Sequence, residues 1–181
     1  MLCPDMLHFR TSEELMPSAQ PQYRVLFLCT GNSARSIMAE AILNQKGAPT
    51  FTASSAGSHS TGRVHPLALK QLELARLPTA SLRSKSWDEF AAAGALKFDF
   101  VFTVCDNAAR EICPVWPGQP MTAHWGVPDP AAVDGAPERV DRAFREAFLL
   151  LDRRVSLFLS LPLGSLDKLS IQKAIDHIGR E

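Results

Sequence analysis

Tyr23-Arg-Val-Leu-Phe-Leu-Cys29-Thr-Gly-Asn-Ser-Ala-Arg35-Ser36 is the stretch on which the reading of this chain turns. Its first half is a short apolar run of the kind that forms a strand buried on both faces. The run breaks at Thr30-Gly31-Asn32-Ser33. A helical pattern then covers about 35 to 45, with Ile37, Met38, Ala41 and Ile42 at helical spacing and Gly47 as a stop. A strand, a tight loop and a helix start thus follow one another, with five residues between a cysteine and an arginine across the loop.

That spacing suits the binding of a tetrahedral oxyanion. A loop that curls into a helix start turns successive backbone N–H groups inward, and the helix end adds partial positive charge. Gly31 is expected to take a backbone geometry that other residues resist. The planar fork of Arg35 can hold two oxygens of the anion. Thr30, Gly31, Asn32, Ser33, Ala34, Arg35 and Ser36 therefore form the expected oxyanion-binding loop. The same groups favour a thiolate at Cys29, whose ordinary pKa is about 8.5, so an ionised nucleophile beneath the anion is expected. Ser36 can hydrogen-bond that sulfur, and the Asn32 amide can brace the loop. An ordinary buried strand-end cysteine would not need Gly-Asn and an arginine in this order. A nucleotide-binding loop is excluded, because no Gly-Lys-Ser/Thr ending follows.

Outward from this segment, strands are predicted at 50–55, 98–105 and 121–125. Helices are predicted at 65–75, 86–93, 137–161 and 165–179, with a helical turn after Asp106. Alternating strands and helices imply right-handed crossovers and an α/β fold with a parallel sheet covered on both faces. Such folds bind ligands at the carboxyl ends of their strands. Cys29 and Cys105 end two predicted strands, and Asp129 follows a third, weaker one. Asp129 lies in Val127-Pro-Asp-Pro-Ala131, a stiff loop from which an acid could protonate a leaving oxygen. Loop capping is the commoner role of such an aspartate.

The 181 residues suggest one domain, 23–181, after a polar, proline-containing extension at 1–22 expected to be poorly ordered. Nineteen basic and nineteen acidic residues balance, which argues against a nucleic-acid binder working through a basic field. No run approaches the ~20 apolar residues of a membrane span, and the first twenty residues do not read as a signal peptide. The expected location is the cytoplasm, where thiols stay reduced. The four cysteines are then catalytic, metal-binding or buried rather than structural bridges. Their spacing does not pair them for zinc, and Cys3 is read as incidental.

Val25-Leu-Phe-Leu-Cys-Thr-Gly-Asn-Ser-Ala-Arg-Ser-Ile-Met-Ala-Glu40 closely resembles the opening of the low-molecular-weight protein tyrosine phosphatase superfamily, and more narrowly its arsenate reductases. Ser54-Ser-Ala-Gly57, Thr103-Val-Cys-Asp-Asn107, Cys113-Pro-Val-Trp-Pro-Gly118, His124-Trp125 and Pro128-Asp-Pro130 extend the likeness, which covers about 24 to 160. The resemblance implies a four-stranded parallel sheet flanked by helices. It implies Cys29 as nucleophile, Arg35 as oxyanion ligand and Asp129 as general acid.

A phosphatase and a reductase of this type begin alike, with Cys29 attacking a pentavalent centre. A phosphatase then needs water, whereas a reductase needs a second thiol. By resemblance to the thioredoxin-linked reductases, Cys105 is the first resolving thiol and Cys113 the second. On a rigid helix these two would lie too far apart for a disulfide, which needs a Cα separation under ~7 Å. The segment between them must then be a loop or unwind. Ala131 and Ala132 follow Asp129 where the phosphatases usually place an aromatic residue, and Tyr23 is the only tyrosine. Both features favour a small inorganic substrate.

The expected function is arsenate reductase, in arsenic detoxification, with arsenate as substrate and phosphate or sulfate able to occupy its place. Thioredoxin, or glutaredoxin with glutathione, is the expected reductant. The alternative is a low-molecular-weight phosphatase hydrolysing phosphomonoesters. Neither function requires a cofactor. Some relatives bind a cation near the loop asparagine; Asn32, Glu40 and Ser55 match part of such a site, but the sequence does not place its remaining carboxylate and no metal is assigned. His59 and His65 are read as loop residues, His124-Trp125 as strand-end packing, and the apolar stripe of 161–181 as a surface that packs on the domain or on a second copy.

Overall fold

The structure, a computed structural model, describes residues 23–92, 94–106 and 115–181. Four strands form one parallel sheet in the order β2-β1-β3-β4: β1 Tyr23–Cys29, β2 Phe51–Gly57, β3 Phe100–Thr103 and β4 Met121–His124. The register pairs Cys29 with Gly57 and Leu28 with Thr103. The expected four-stranded parallel sheet is present, and β1 lies inside it, which explains the unbroken apolar run that opens the sequence.

Side chains of β1 alternate between two cores, because successive residues of a strand point to opposite faces. Val25, Phe27 and Cys29 join the larger core with α1 (Arg35–Gly47), α2 (Pro66–Leu74), α4 (Pro137–Leu159) and α5 (Lys168–Ile178). Leu26 and Leu28 join a smaller core on the other face, with Phe90 of the short α3 (Asp88–Ala91), Phe98, Val101 and Trp116. The predicted helix at 86–93 is real but only four residues long. The strand at 98–105 is trimmed to its central four residues, Phe100–Thr103, which are the ones in register with β1 and β4.

Trp125 is fully buried against Phe102, with ring centroids 3.9 Å apart and planes 12° from parallel. Its indole N–H donates to the Ile175 carbonyl at 3.0 Å, so a polar tip inside the core is satisfied by α5. Arg154 of α4 donates to the carbonyls of Gly126 and Gly179 at 2.9 and 3.0 Å. Through these contacts the C-terminal helix packs on its own domain, burying Ile171, Ile175 and Ile178. No helix among the described residues is long and apolar enough to cross a membrane.

The layout puts the ends of β1, β3 and β4 side by side at one edge. Cys29 closes β1, Cys105 lies two residues beyond β3, and Asp129 sits five residues beyond β4. Cys113 and the extension 1–22 lie outside the described residues, as does most of the predicted helical turn after Asp106.

Candidate active site

The loop between β1 and α1 is shaped by where its carbonyls go. His59 N–H donates to Thr30 O at 2.9 Å, Thr61 N–H to Gly31 O at 2.9 Å and His65 N–H to Ser33 O at 2.8 Å. The segment after β2 thus holds the loop's carbonyls outward, and its N–H groups are left to face inward. No side chain caps the start of α1. First-turn N–H groups of a helix lack partners within it, so this end is available to an anion. The resulting cavity of about 300 Å³ is lined by Cys29, Thr30, Gly31, Ser33, Ala34, Arg35, Thr61, Asp129 and Ala131.

The residue that takes the unusual backbone is not the one expected. Asn32, not Gly31, has a positive φ, at 42°. Asparagine tolerates this left-handed region better than most residues because its short side chain bonds locally. Here that side chain is fully buried and all its polar groups are used. Its Nδ2 donates to Ser36 Oγ at 2.9 Å and to Ser55 Oγ at 2.8 Å, while Oδ1 accepts from Lys85 N–H at 2.7 Å. Gly57 is needed for a different reason. A Cβ there would land on the Thr30 carbonyl oxygen and lie 3.0 Å from Asn32 N.

Cys29 is 3% exposed, and its sulfur receives Asn32 N–H at 3.1 Å and lies 2.9 Å from Ser36 Oγ. Burial pushes the thiol up from its ordinary value; the Ser36 hydroxyl and the N–H groups of Ser36 and Asn32 pull it down, and the neighbouring Cys105 adds to the rise. The expected ionised thiol is therefore not what the pocket alone maintains. Loss of hydration outweighs three hydrogen bonds, because burial disfavours the charged form most.

Arg35 extends toward the loop after β4. Its Nη2 pairs with Asp129 Oδ2 at 2.8 Å, and its Nη1 donates to Val127 O at 3.0 Å. The fork expected to grasp an anion is thus shared with the predicted acid. Of the two roles weighed for Asp129, the structure shows the cap: its Oδ1 accepts Ala131 N–H at 3.1 Å at the start of the 3-10 turn Pro130–Ala132, while Oδ2 pairs with Arg35. Cys105 is buried beneath the same loop, accepting Thr30 N–H at 3.3 Å. A smaller cavity of about 170 Å³ adjoins the first, sharing Arg35 and Asp129 and lined also by Cys105, Asp106, Val127 and Pro128.

Other residues fall away from the chemistry. His65 caps α2 by accepting Leu67 N–H and stacks on Phe144 at 4.6 Å; burial, helped by Arg63, holds its pKa down. His124 lies between Thr103 Oγ1 and Asp106 Oδ1, at 2.9 and 3.0 Å, and lines neither cavity. The loop's buttress, Lys85 with Glu40 and Ser55, was not visible as a set in the sequence, because its members are 15 to 45 residues apart. Among the described residues no cluster of histidine, cysteine and carboxylate groups is arranged to hold a metal.

Residues 24–170 match the model of the low molecular weight phosphotyrosine protein phosphatase family. The arsenate reductase of Halalkalibacterium halodurans is 33% identical over 134 residues, covering 74% of this chain and 93% of the relative. That of Bacillus subtilis is 35% identical over 114 residues, covering 63% and 78%. Among solved structures, the arsenate reductase of Archaeoglobus fulgidus is 30% identical with a TM-score of 0.54, covering 73% of this chain and 98% of its own. An arsenate reductase solved in its oxidised state gives a TM-score of 0.63 at 25% identity, covering 76% and 97%.

Proposed function

The chain belongs to the low molecular weight phosphotyrosine protein phosphatase family, and within it we propose that it is an arsenate reductase, with Cys29 as nucleophile and Cys105 as the thiol that resolves its adduct. The observation that carries this reading is the second buried thiol. Cys105 sulfur hydrogen-bonds the N–H of Thr30, the residue next to Cys29, where a phosphatase needs only water.

The reaction runs as follows. Arsenate enters the cavity over Cys29 and competes with Asp129 for the Arg35 guanidinium. The anion offers two oxygens to the fork, so Arg35 turns to it and releases the carboxylate. The Cys29 proton passes to an arsenate oxygen, an S–As bond forms, and one arsenic–oxygen bond breaks. Asp129, freed from its ion pair, acts as the general acid and delivers a proton to that oxygen, which leaves as water. Cys105 then attacks the sulfur of Cys29, its proton passing to the departing arsenic group. The S–S bond forms, the electron pair of the S–As bond stays with arsenic, and arsenite departs with arsenic reduced from the pentavalent to the trivalent state. Cys113 attacks Cys105 sulfur in turn, freeing Cys29 and leaving a Cys105–Cys113 disulfide. A thiol reductant, thioredoxin or glutaredoxin with glutathione, reduces that disulfide by exchange. The cytoplasm, where such reductants act, is the proposed location. Phosphate and sulfate fit the same pocket.

The test is a single turnover of the reduced protein with arsenate and no added thiol, followed by disulfide mapping. Stoichiometric arsenite with a bridge at Cys105 supports the relay. If Cys105→Ser and Cys113→Ser both leave arsenite formation in steady turnover unchanged, the relay is wrong. Rapid hydrolysis of aryl phosphates with no arsenite formed would assign the chain to the phosphatases instead.

A further inference from the structure

Lys85 is 7% exposed, on a segment between α2 and α3 that lines neither cavity. A lysine is almost never buried to this extent unless its ammonium is paired. Its partner is Glu40 of α1, 9% exposed, with Nζ 3.4 Å from Oε2. Neither group takes part in the reaction described above, and a buried ion pair is on its own poor evidence of added stability. Its hydrogen bonds show what else it does.

Glu40 Oε2 accepts the hydroxyl of Ser55 on β2, and Ser55 Oγ accepts Asn32 Nδ2. Asn32 Oδ1 accepts the main-chain N–H of Lys85 itself. A closed ring results, running from the Lys85 ammonium through Glu40, Ser55 and the Asn32 amide to the Lys85 backbone. One residue holds both ends of the Asn32 amide: one directly and the other through two intermediaries. The amide's second proton goes to Ser36 Oγ, which fills an acceptor position there and leaves the Ser36 hydroxyl proton to Cys29 sulfur. Asn32 also sends its own N–H to that sulfur, from a left-handed backbone that requires bracing.

We propose that Lys85 is a positioning residue for Cys29: its ammonium keeps Glu40 an acceptor, which closes the ring that clamps Asn32 and points Ser36 at the sulfur. Burial pushes the Glu40 carboxyl up, and Lys85 is the main charge pulling it back. Without the ammonium, a buried carboxyl takes up a proton and becomes a donor, so its bond from Ser55 no longer has a fixed direction. Arg83, the other cation that acts on Glu40, is already in a two-pronged pair with Glu89. The charged and titratable groups facing the ring and Cys29 are thus Lys85, Glu40, Arg83, Glu89 and Cys105, with the Arg35–Asp129 pair across the pocket.

The inference rests on Cys29 being the nucleophile, but its test needs no turnover. The alkylation rate of Cys29 by iodoacetamide is followed from pH 6 to 10 in the full reduced chain, resolved to the residue by peptide mass spectrometry. Lys85→Met is expected to move the midpoint up by roughly half to one pH unit, slowing alkylation at pH 7 about three- to tenfold. Lys85→Arg, which keeps the charge, should stay within about twofold of the parent. Ser55→Ala leaves the ion pair intact and cuts the ring, and should give the same loss as Lys85→Met. The double variant should then be no slower than either single one, because both remove one brace. An unchanged midpoint in Ser55→Ala overturns the proposal even if Lys85→Met fails to fold. Multiplied losses in the double variant overturn it as well. Arsenite formation surviving in Cys29→Ser would instead remove the nucleophile reading on which it stands.

Discussion

Replacing Gly57 by alanine adds one methyl group at the end of β2, and the structure specifies what it would strike. The new Cβ would fall on the Thr30 carbonyl oxygen and lie 3.0 Å from both Asn32 N and Asn32 Cβ. All these neighbours belong to the loop that carries Cys29, and two of the three are backbone atoms, so no side-chain rotation relieves the contact. Thr30 must retreat by more than about 0.5 Å, carrying its peptide group with it. Gly57 cannot retreat instead. It is paired with Cys29 in the sheet, its N–H donates to Lys85 O at 3.0 Å, and its carbonyl accepts Trp87 N–H at 3.0 Å. Overpacking of this kind costs about 1–3 kcal/mol of folding stability. The larger effect falls on function, since a displacement approaching 1 Å at reacting groups costs on the order of 100-fold in rate. Stability is read by urea unfolding, and loop integrity by titration calorimetry with phosphate as a stable tetrahedral anion. The expected outcome is a folded protein whose phosphate affinity and single-turnover rate fall at least tenfold. Should Gly57→Ala bind phosphate within twofold of the parent, the account of the loop as a rigid cradle set by β2 is refuted.

Two further outcomes are expected. Because burial raises the Cys29 thiol in the folded protein, its contribution to stability is fully present below the ordinary thiol pKa of about 8.5 and is lost as pH rises from there toward the raised folded value. Urea unfolding at pH 7 and pH 9.5 should therefore show a smaller alkaline loss in Cys29→Ser than in the parent, and equal losses would contradict it. Asp129→Asn retains a side-chain oxygen for the Ala131 N–H while removing the carboxylate that pairs with Arg35. Stability should stay within about 1 kcal/mol of the parent, because the carboxylate end of the pair is open to solvent, while arsenite formation in a single turnover falls on the order of 100-fold; unchanged turnover would remove Asp129 from the chemistry.

Much of this arrangement could be read before the fold was known, because it is written in local terms. The apolar run 25–28, the break at Thr30 and the helical spacing after Arg35 fix a strand, a loop and a helix from neighbouring residues alone, and that order brings Cys29 and Arg35 together wherever the chain folds. Strands alternating with helices restrict the sheet to parallel pairing, which in turn sets Cys29, Cys105 and the Asp129 loop along one edge. These features depend on backbone period and connection handedness, both short-range properties of the chain.

What only the tertiary structure decided are balances between groups far apart in sequence. Desolvation against hydrogen bonding at Cys29 depends on how tightly α1, β2 and β3 close around it, and burial wins although the loop's composition favours a thiolate. The pairing of the Arg35 guanidinium with Asp129 spans 94 residues. The left-handed backbone falls on Asn32 rather than Gly31 because Ser36, Ser55 and Lys85 occupy every polar atom of the asparagine side chain. A sequence lists the groups able to make such bonds, but electrostatic and hydrogen-bond energies depend on distance and solvent exposure, and those are fixed only when the chain has packed.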